Sequence, residues 1–249
     1  MRTFIAVAKL LRALGHIVYG LLLVSRQFPK LTQEQRSVQV QLWALDMLTV
    51  LDIVLRVEGL PPAQGPMLLV ANHISWLDIL VMLAARHCRF VSKSEVRHWP
   101  LIGTLASGAG TLFIERESRR DAMRVVHHMT DSLRAGDILV VFPEGTTSDG
   151  LQLLPFHGNL IQAAISAHVE VQPVALRFLD SVTRQTSLAP CYIGDDTLVG
   201  SIWKTLSAPR ITAVLRFGEP EQAKGRDRRV WAAALRESVE KLRKQGGCS

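Results

Sequence analysis

The chain has 249 residues, of which 48% are hydrophobic, and its 29 Lys and Arg against 22 Asp and Glu give a net charge of +7. This length suffices for one large α/β domain with a substantial core. The three cysteines share no CxxC spacing, which argues against a disulfide framework or a zinc site and fits a reducing compartment.

The positive charge lies mainly at the two ends of the chain. Residues 1–36 carry six basic residues against one acidic residue, and residues 224–244 carry eight against three. No zinc-finger spacing, RNP motif or basic-aromatic stripe accompanies them, so we expect no nucleic-acid partner. Basic ends beside apolar sequence favour an anionic membrane surface as a partner, although solvated helix faces explain the C-terminal cluster about equally well.

The segment 4–24 is mostly apolar but is interrupted by Lys9, Arg12 and His16. Its uninterrupted stretches are shorter than the roughly 18–20 apolar residues of a confident spanning helix. No small-residue cleavage site follows, which argues against a secretory signal. The pattern predicts an interfacial helix, or a re-entrant anchor, whose basic residues lie at the lipid head groups. The alternative is an amphipathic helix packed on the protein itself.

A second helical pattern covers residues 33–56, after a break at Phe28-Pro29. The apolar positions near helical spacing are Val40, Trp43, Leu45, Leu48, Leu51 and Leu55. Residues 1–58 are therefore predicted to form a membrane-associating two-helix hairpin, which precedes an α/β domain over residues 59–249.

Strand and helix patterns alternate after Gly65. Strands are predicted over residues 67–71, 89–92, 111–115, 138–142, 169–176 and 211–217. Helices are predicted over residues 77–86, 101–108, 119–135, 160–167 and 228–244. Ser118 and Asp121 are expected to cap the third of these helices, and Gly136 to end it. The alternation predicts an α/β fold with a mostly parallel mixed sheet flanked by helices.

Polar clusters follow three of these strands. NHISWLD follows the first, ERESRR the third and PEGTTSDG the fourth. Because ligand sites in such sheets lie beyond the carboxyl ends of the strands, we expect the three clusters to converge on one crevice. Polar turns after strands are common, however. Ordinary turns are therefore an alternative explanation for each cluster taken alone.

His73 and Asp78 are five residues apart, a spacing that places them on different faces of either a helix or a strand. They can meet only if the backbone turns between them, as it does where a strand gives way to a helix. The carboxylate would then fix the tautomer of His73 and stabilise its protonated ring. The pair is thus a candidate general base with its orienting acid, and a purely structural turn is the alternative.

No covalent nucleophile accompanies this pair, since the chain has no GxSxG elbow and no cysteine beside a histidine in a known pattern. His73 is therefore expected to deprotonate a substrate hydroxyl for direct attack. The backbone N–H groups and hydroxyls that follow Glu144 suit a polar head group or an anion. A metal site of His73, Asp78 and Glu144 is conceivable but matches no metal motif, so we expect no metal.

Four blocks in this order resemble the signature of the glycerolipid acyltransferases. They are Asn72-His73-x4-Asp78, GTLFIER ending at Arg116, VFPEGTTS over 141–148 and VQPVAL over 171–176. The resemblance covers about residues 65–220. It implies transfer of an acyl chain from acyl-CoA or acyl-carrier protein to a lysolipid hydroxyl, without a metal or prosthetic group. The implied setting is the cytoplasmic face of the inner membrane, with the protein monotopic or single-pass.

The same resemblance assigns roles to individual residues. His73 would be the base and Asp78 its partner, and Arg116 would bind the anionic head group of the acceptor. The full implied substrate-binding set is Asn72, Ser75, Arg116, Glu144, Gly145, Thr146, Thr147 and Pro173. The acceptor it implies first is 1-acyl-sn-glycerol-3-phosphate, which would give phosphatidic acid.

Two departures bear on that acceptor. Thr147 stands where phosphatidic-acid-forming members usually have arginine, and His157 stands where they often have lysine. Both reduce the positive charge available for a phosphate monoester. The alternative acceptors are lyso-ornithine lipid and other lysophospholipids. A non-enzymatic lipid-binding module is the alternative from another class, although it would have no use for a His–Asp pair.

Overall fold

One mixed sheet of seven strands runs through the part of the chain that the computed structural model describes, residues 2–114 and 119–245. Its strands are β1 (Ile53–Glu58), β2 (Met67–Ala71), β3 (Arg89–Lys93), β4 (Leu112–Ile114), β5 (Ile138–Val141), β6 (Val171–Asp180) and β7 (Ile211–Phe217). The order across the sheet is β1-β7-β6-β2-β5-β3-β4. Every neighbouring pair is parallel except β6 and β7, which confirms the predicted mostly parallel mixed sheet.

Helices cover both faces of this sheet. They are α1 (Arg2–Leu22), α2 (Gln33–Val50), α3 (Leu77–Ala85), α4 (Ile102–Gly108), α5 (Arg119–Arg134), α6 (Gln162–Ala167), α7 (Leu198–Ser207) and α8 (Arg228–Lys244). Because side chains alternate along a strand, β2 feeds two cores. Leu69 and Ala71 pack with α1, α2 and α3, whereas Leu68 and Val70 pack with α5 and α8. The two faces of the sheet therefore contribute to two separate hydrophobic cores.

The predicted helices are confirmed closely where capping signals are strong. The C-terminal helix has the predicted bounds, and the helix expected over residues 119–135 is observed as α5. Gly136 follows it with φ of +94°, a left-handed conformation that glycine adopts without strain. Ser118, the expected cap of α5, lies outside the described residues.

The prediction of helix through Arg56 is wrong, because α2 ends at Val50 and residues 53–58 form β1. Leu55 continues the helical spacing of α2 by coincidence. The chain turns at Asp52, whose φ is +60°, and β1 then pairs in parallel with β7. The helical hairpin is thus followed directly by a strand of the sheet. The domain division at residues 58 and 59 stays a prediction.

Two features between β6 and β7 were not predicted. β6 runs four residues past the predicted end at Leu176, since Arg177 lies on one face and Phe178 is buried on the other. The helix α7 is short and lies after a loop. Its N-terminus is capped by Thr197, whose side chain accepts a hydrogen bond from the backbone of Gly200.

The first two helices form the predicted hairpin, and α1 docks on the protein by specific polar contacts. The ring of His16 stacks on that of Trp43 with centroids 5.0 Å apart. Nε1 of Trp43 donates to the carbonyl of His16 at 3.1 Å, and Nε2 of His16 lies 2.9 Å from the carbonyl of Trp43. Lys9 is buried and pairs with Asp52 at 3.3 Å. Lys9 therefore does not lie at lipid head groups as expected, because its ammonium is neutralised within the protein.

The opposite face of α1 is apolar and exposed. Phe4, Leu11 and Val18 recur every seven residues along it and are 83%, 64% and 54% exposed. By length and composition, the helical segment Arg2–Lys30 is apolar enough to cross a membrane. The helix thus carries one face fitted to the protein and one face with no protein covering among the described residues.

Candidate active site

His73 and Asp78 meet, as the sequence predicts. β2 ends at Ala71 and α3 begins at Leu77, so His73 lies in the turn between them and Asp78 in the first turn of the helix. Nδ1 of His73 lies 2.7 Å from Oδ2 of Asp78. The carboxylate is fully buried, while the imidazole keeps 21% of its side-chain surface exposed. The ring is thus oriented from within the protein and accessible from outside.

The surroundings of Asp78 fix the tautomer of His73. Oδ2 also accepts hydrogen bonds from the backbone N–H of Ile74 at 2.6 Å and of Ser75 at 3.0 Å. Because Oδ2 already accepts from these two backbone donors, it acts toward the ring nitrogen as an acceptor. Nδ1 therefore carries the proton and donates a hydrogen bond to Asp78, which leaves the lone pair of Nε2 available to accept a proton.

The backbone of His73 is held by the segment that follows β5. Its N–H donates to Oε1 of Glu144 at 2.9 Å, and its carbonyl accepts from the N–H of Ser148 at 2.9 Å. The imidazole stacks on Phe142 with ring centroids 4.1 Å apart and planes 8° from parallel. Because β2 and β5 are neighbours, the predicted convergence of these two clusters is confirmed. The roles of Phe142 and Ser148 were not predicted, although both lie beside or within the quoted block.

Glu144 joins the two clusters rather than facing solvent. It is 4% exposed, and its second oxygen accepts from the N–H of Leu154 at 3.0 Å. Burial raises the pKa of this carboxyl, and the backbone donors of His73 and Leu154 partly oppose that rise. Since both oxygens accept from backbone donors, Glu144 holds the turn that carries His73, and direct contact with a substrate stays a prediction.

Asn72 and Ser75 are likewise buried and bind backbone. The side chain of Asn72 donates to the carbonyl of Leu176 at 3.0 Å and accepts from its N–H at 2.8 Å, which ties the turn to β6. The hydroxyl of Ser75 accepts from the N–H of Leu77 at 3.3 Å. Both residues position the turn that carries His73. Their predicted contact with a substrate stays a prediction.

The three residues after Glu144 differ in what they offer a ligand. Gly145 has φ of +74° and donates its N–H to the carbonyl of Phe142. The hydroxyl of Thr147 donates to the carbonyl of Tyr192. Thr146 is exposed, and neither its N–H nor its hydroxyl has a partner within residues 2–114 and 119–245. Thr146 is therefore the member of this block that is free to bind a substrate.

Of the two remaining predicted residues, Pro173 lies away from the pair and Arg116 lies outside the described residues. Pro173 lies on β6 in register with Val70, and its side chain lies against Gly218 beside α8. Arg116 and the first residues of the ERESRR cluster lie outside the described residues. The predicted roles of Pro173 and Arg116 in binding the substrate stay predictions.

Neither a metal nor a thiol nucleophile is apparent here. In the part of the chain that the structure describes, no three His, Cys, Asp or Glu side chains are arranged to hold a metal ion. The nearby Cys191 is buried, and burial together with Asp149 and Asp78 raises the pKa of its thiol to about 11. The thiol is therefore protonated at neutral pH and is a poor nucleophile.

Comparisons with known proteins identify related sequences. The family profile described as acyltransferase matches residues 54–177. A lyso-ornithine lipid O-acyltransferase from Pseudomonas aeruginosa is 41% identical over 198 residues, which cover 79% of this chain and 75% of that protein. A 1-acyl-sn-glycerol-3-phosphate acyltransferase from Neisseria gonorrhoeae is 38% identical over 195 residues, 77% of this chain and 75% of that protein.

A solved structure confirms the fold. The 1-acyl-sn-glycerophosphate acyltransferase from Thermotoga maritima superposes with a TM-score of 0.73 at 20% identity. The match covers 99% of this chain and 98% of that one.

Proposed function

This chain belongs to the acyltransferase family and is an acyltransferase of the lysophospholipid type, and we propose its acyl donor, its acceptor and its active-site residues. It transfers an acyl chain from acyl-CoA or acyl-carrier protein to the hydroxyl of a lysolipid. The observation that carries the proposal is the 2.7 Å contact between His73 and the buried Asp78 at the carboxyl edge of the sheet. No metal or prosthetic group takes part.

The reaction follows from the tautomer of His73. Nε2 removes the proton of the acceptor hydroxyl while that oxygen attacks the thioester carbonyl, and Asp78 stabilises the imidazolium that forms. The tetrahedral intermediate collapses, the C–S bond breaks, and the imidazolium returns its proton to the departing sulfur. The products are an acylated lipid and a free thiol, so no acyl-enzyme is required.

Two residues near the catalytic turn bear on the acceptor. Thr147 offers no positive charge, and its hydroxyl is engaged by Tyr192. His157 is exposed beside Gly145 and lacks the permanent ammonium charge that a lysine would place there. An ornithine head group carries an amine and a carboxylate and needs no phosphate site. These observations favour lyso-ornithine lipid, with 1-acyl-sn-glycerol-3-phosphate as the second candidate.

Thioester consumption with both lysolipids, measured side by side with acyl-CoA and acyl-carrier protein, tests this proposal. We expect transfer to both acceptors, with the higher kcat/KM for lyso-ornithine lipid. Absence of transfer with every donor and acceptor would refute the enzymatic proposal in favour of a lipid-binding module. A preference for lysophosphatidate would instead restore the acceptor that the four-block resemblance implies.

Replacing Thr147 with arginine tests the basis of the acceptor assignment. We expect kcat/KM for lysophosphatidate to rise by about tenfold or more relative to that for lyso-ornithine lipid, because guanidinium binds phosphate by paired, charge-assisted hydrogen bonds. Thr147→Val is the matched control, since it also breaks the bond to Tyr192 but adds no charge. An unchanged ratio in Thr147→Arg would show that position 147 does not select the acceptor.

We further propose that α1 anchors the protein at the cytoplasmic face of the inner membrane, lying in one leaflet. The exposed face of Phe4, Leu11 and Val18 provides apolar surface, and Arg12 lies exposed beside it. The buried face is committed to the protein through the Lys9–Asp52 ion pair and the His16–Trp43 contacts. This arrangement suits a monotopic helix better than a spanning one.

The triple replacement of Phe4, Leu11 and Val18 with glutamate should release the protein from membranes. Burial of such side chains is worth about 1.5–3 kcal/mol each, so partition should weaken by at least about 10²-fold. Sedimentation with cell membranes measures the effect. Leu60→Glu is the control, since Leu60 is 84% exposed but lies off the hairpin. Full retention of the triple variant would refute the anchor.

A further inference from the structure

Three arginines from three neighbouring strands surround a cavity on the α8 face of the sheet. The cavity has a volume of about 240 Å³, and Arg56, Arg177 and Arg216 line it together with Glu58. They come from β1, β6 and β7, so only the register of the sheet brings them together. In that register Arg56 and Arg177 both lie opposite Val214, and Arg216 lies opposite Glu58.

The positive charge of this cavity is not balanced by the carboxylates of the described residues. Glu58 is its one carboxylate, and it already pairs with Arg56 at 2.9 Å and with Nε of Arg216 at 2.6 Å. Arg177 has no carboxylate within ion-pair distance among the described residues, and it donates to the carbonyl of Arg243 at 3.2 Å. Burial, with repulsion from Arg243 and Arg216, lowers the pKa of Arg177. An anion in the cavity would relieve this repulsion.

Arg177 also lines a second cavity of about 370 Å³, which reaches the catalytic turn. Its wall includes Ile74, the residue after His73, and Gly150, two residues beyond Ser148. Arg243 lines it as well, is only 9% exposed, and has a buried Nε without a hydrogen-bond partner in the described part of the chain. The two cavities share Arg177 and form a path from the β1 edge of the sheet to the backbone beside His73. Its lining has five basic and three acidic side chains, Glu58, Asp149 and Glu240, and is therefore net positive.

The position of this path distinguishes between sources of the anion. The apolar hairpin packs on the opposite face of the sheet, with Leu215 and Phe217 of β7 in its core. The arginine cavity lies instead beside Leu242 of α8. A lipid head group would approach from the hairpin face, whereas a water-soluble molecule has access to the α8 face. The acyl donor is the water-soluble reactant, and both of its forms carry phosphate on a pantetheine arm.

We propose that Arg56, Arg177 and Arg216 bind the phosphate groups of the thioester donor and that the second cavity leads its pantetheine arm toward His73. This inference rests on the proposed function. Guanidinium groups suit the task because each presents paired N–H donors to phosphate oxygens. The donor and the acceptor then reach His73 from different sides of the sheet.

The variant Arg177→Gln tests this inference in the full chain. We expect KM for the thioester donor that the wild type consumes to rise about tenfold or more, with KM for the lysolipid and kcat changed less than twofold. Arg56→Gln, at the edge strand, should act in the same direction and provides a second variant if Arg177→Gln fails to fold. Arg210→Gln is the matched control, because Arg210 is exposed and pairs with Asp52 away from the cavity.

Direct binding separates the possible sources of phosphate. Calorimetry with CoA and with pantetheine should show that wild type prefers CoA and that Arg177→Gln loses most of that preference. Binding to phosphatidylcholine vesicles containing phosphatidylglycerol should be unchanged. Equal donor KM in Arg177→Gln and Arg210→Gln would overturn the inference, as would loss of vesicle binding with unchanged CoA affinity. Absence of acyl transfer by wild type refutes the proposed function instead, and the CoA measurement still decides the role of Arg177.

Discussion

Replacing His73 with alanine should lower kcat by about 10²–10⁴-fold, the range that a positioned general base contributes. The fold should persist, because the residue's backbone bonds to Glu144 and Ser148 do not involve its side chain. What the fold loses is the stacking on Phe142 and the hydrogen bond from Nδ1 to Asp78, contacts of kinds worth about 0.5–1.5 and about 1.5–3 kcal/mol. The midpoint of thermal unfolding should therefore fall by roughly 4–18 °C for a chain of this size, and unfolding should stay cooperative.

Initial rates of thiol release, measured at saturating donor and lysolipid, check this result. His127→Ala is the matched control, since His127 also lies near an aspartate, Asp131, at 3.5 Å but is 75% exposed on the surface of α5. It should retain wild-type activity. A His73→Ala enzyme within about tenfold of wild type would exclude His73 as the base.

Replacing Asp78 with asparagine should lower kcat by about 10²–10⁴-fold while leaving KM for both substrates nearly unchanged. An amide oxygen can still accept from Ile74, Ser75 and Nδ1 of His73, so the turn can keep its shape. The negative charge that stabilises the imidazolium is lost, however. The effect therefore falls on the transition state rather than on binding.

Asp131→Asn provides the corresponding control, because it removes the same charge beside an exposed histidine. Circular dichroism should show both variants folded. If Asp78→Asn lost activity only in proportion to lost folded protein, Asp78 would have a structural role alone. The double variant with His73→Ala should be little worse than His73→Ala by itself, since Asp78 acts through His73.

The features that the sequence predicts well are those encoded locally. β2 and β5 are continuous apolar runs because both faces of each strand are buried. The spacing between His73 and Asp78 indicates that the two residues do not meet within a single helix or strand. The chain direction of a parallel sheet then places the clusters after these strands at one edge. These local patterns are sufficient to predict that His73 and Asp78 meet at this edge, whereas their catalytic role is implied by the four-block resemblance and stays a prediction.

Long-range pairings escape such reasoning. The insertion of β7 between β1 and β6 depends on contacts between residues far apart in sequence, such as Arg56 and Val214. The arginine cavity depends on this register and has no local signature. The bond of Thr147 to Tyr192 is similar, because no pattern links two loops 45 residues apart. The sequence predicts helix where β1 forms, because over so short a segment the position of Leu55 fits both the helical and the strand repeat of apolar residues.

The Lys9–Asp52 ion pair bears on which leaflet of the bilayer receives the newly made lipid. Moving α1 across the bilayer would break that pair and place an ammonium in hydrocarbon, at a cost of about 2.5–3.5 kcal/mol on insertion scales. We therefore expect the enzyme to stay on one side of the membrane. It would take lysolipid from that leaflet and release its product into the same leaflet. Newly acylated lipid would enlarge that leaflet alone, so balanced growth of the bilayer would depend on a separate route of transbilayer movement.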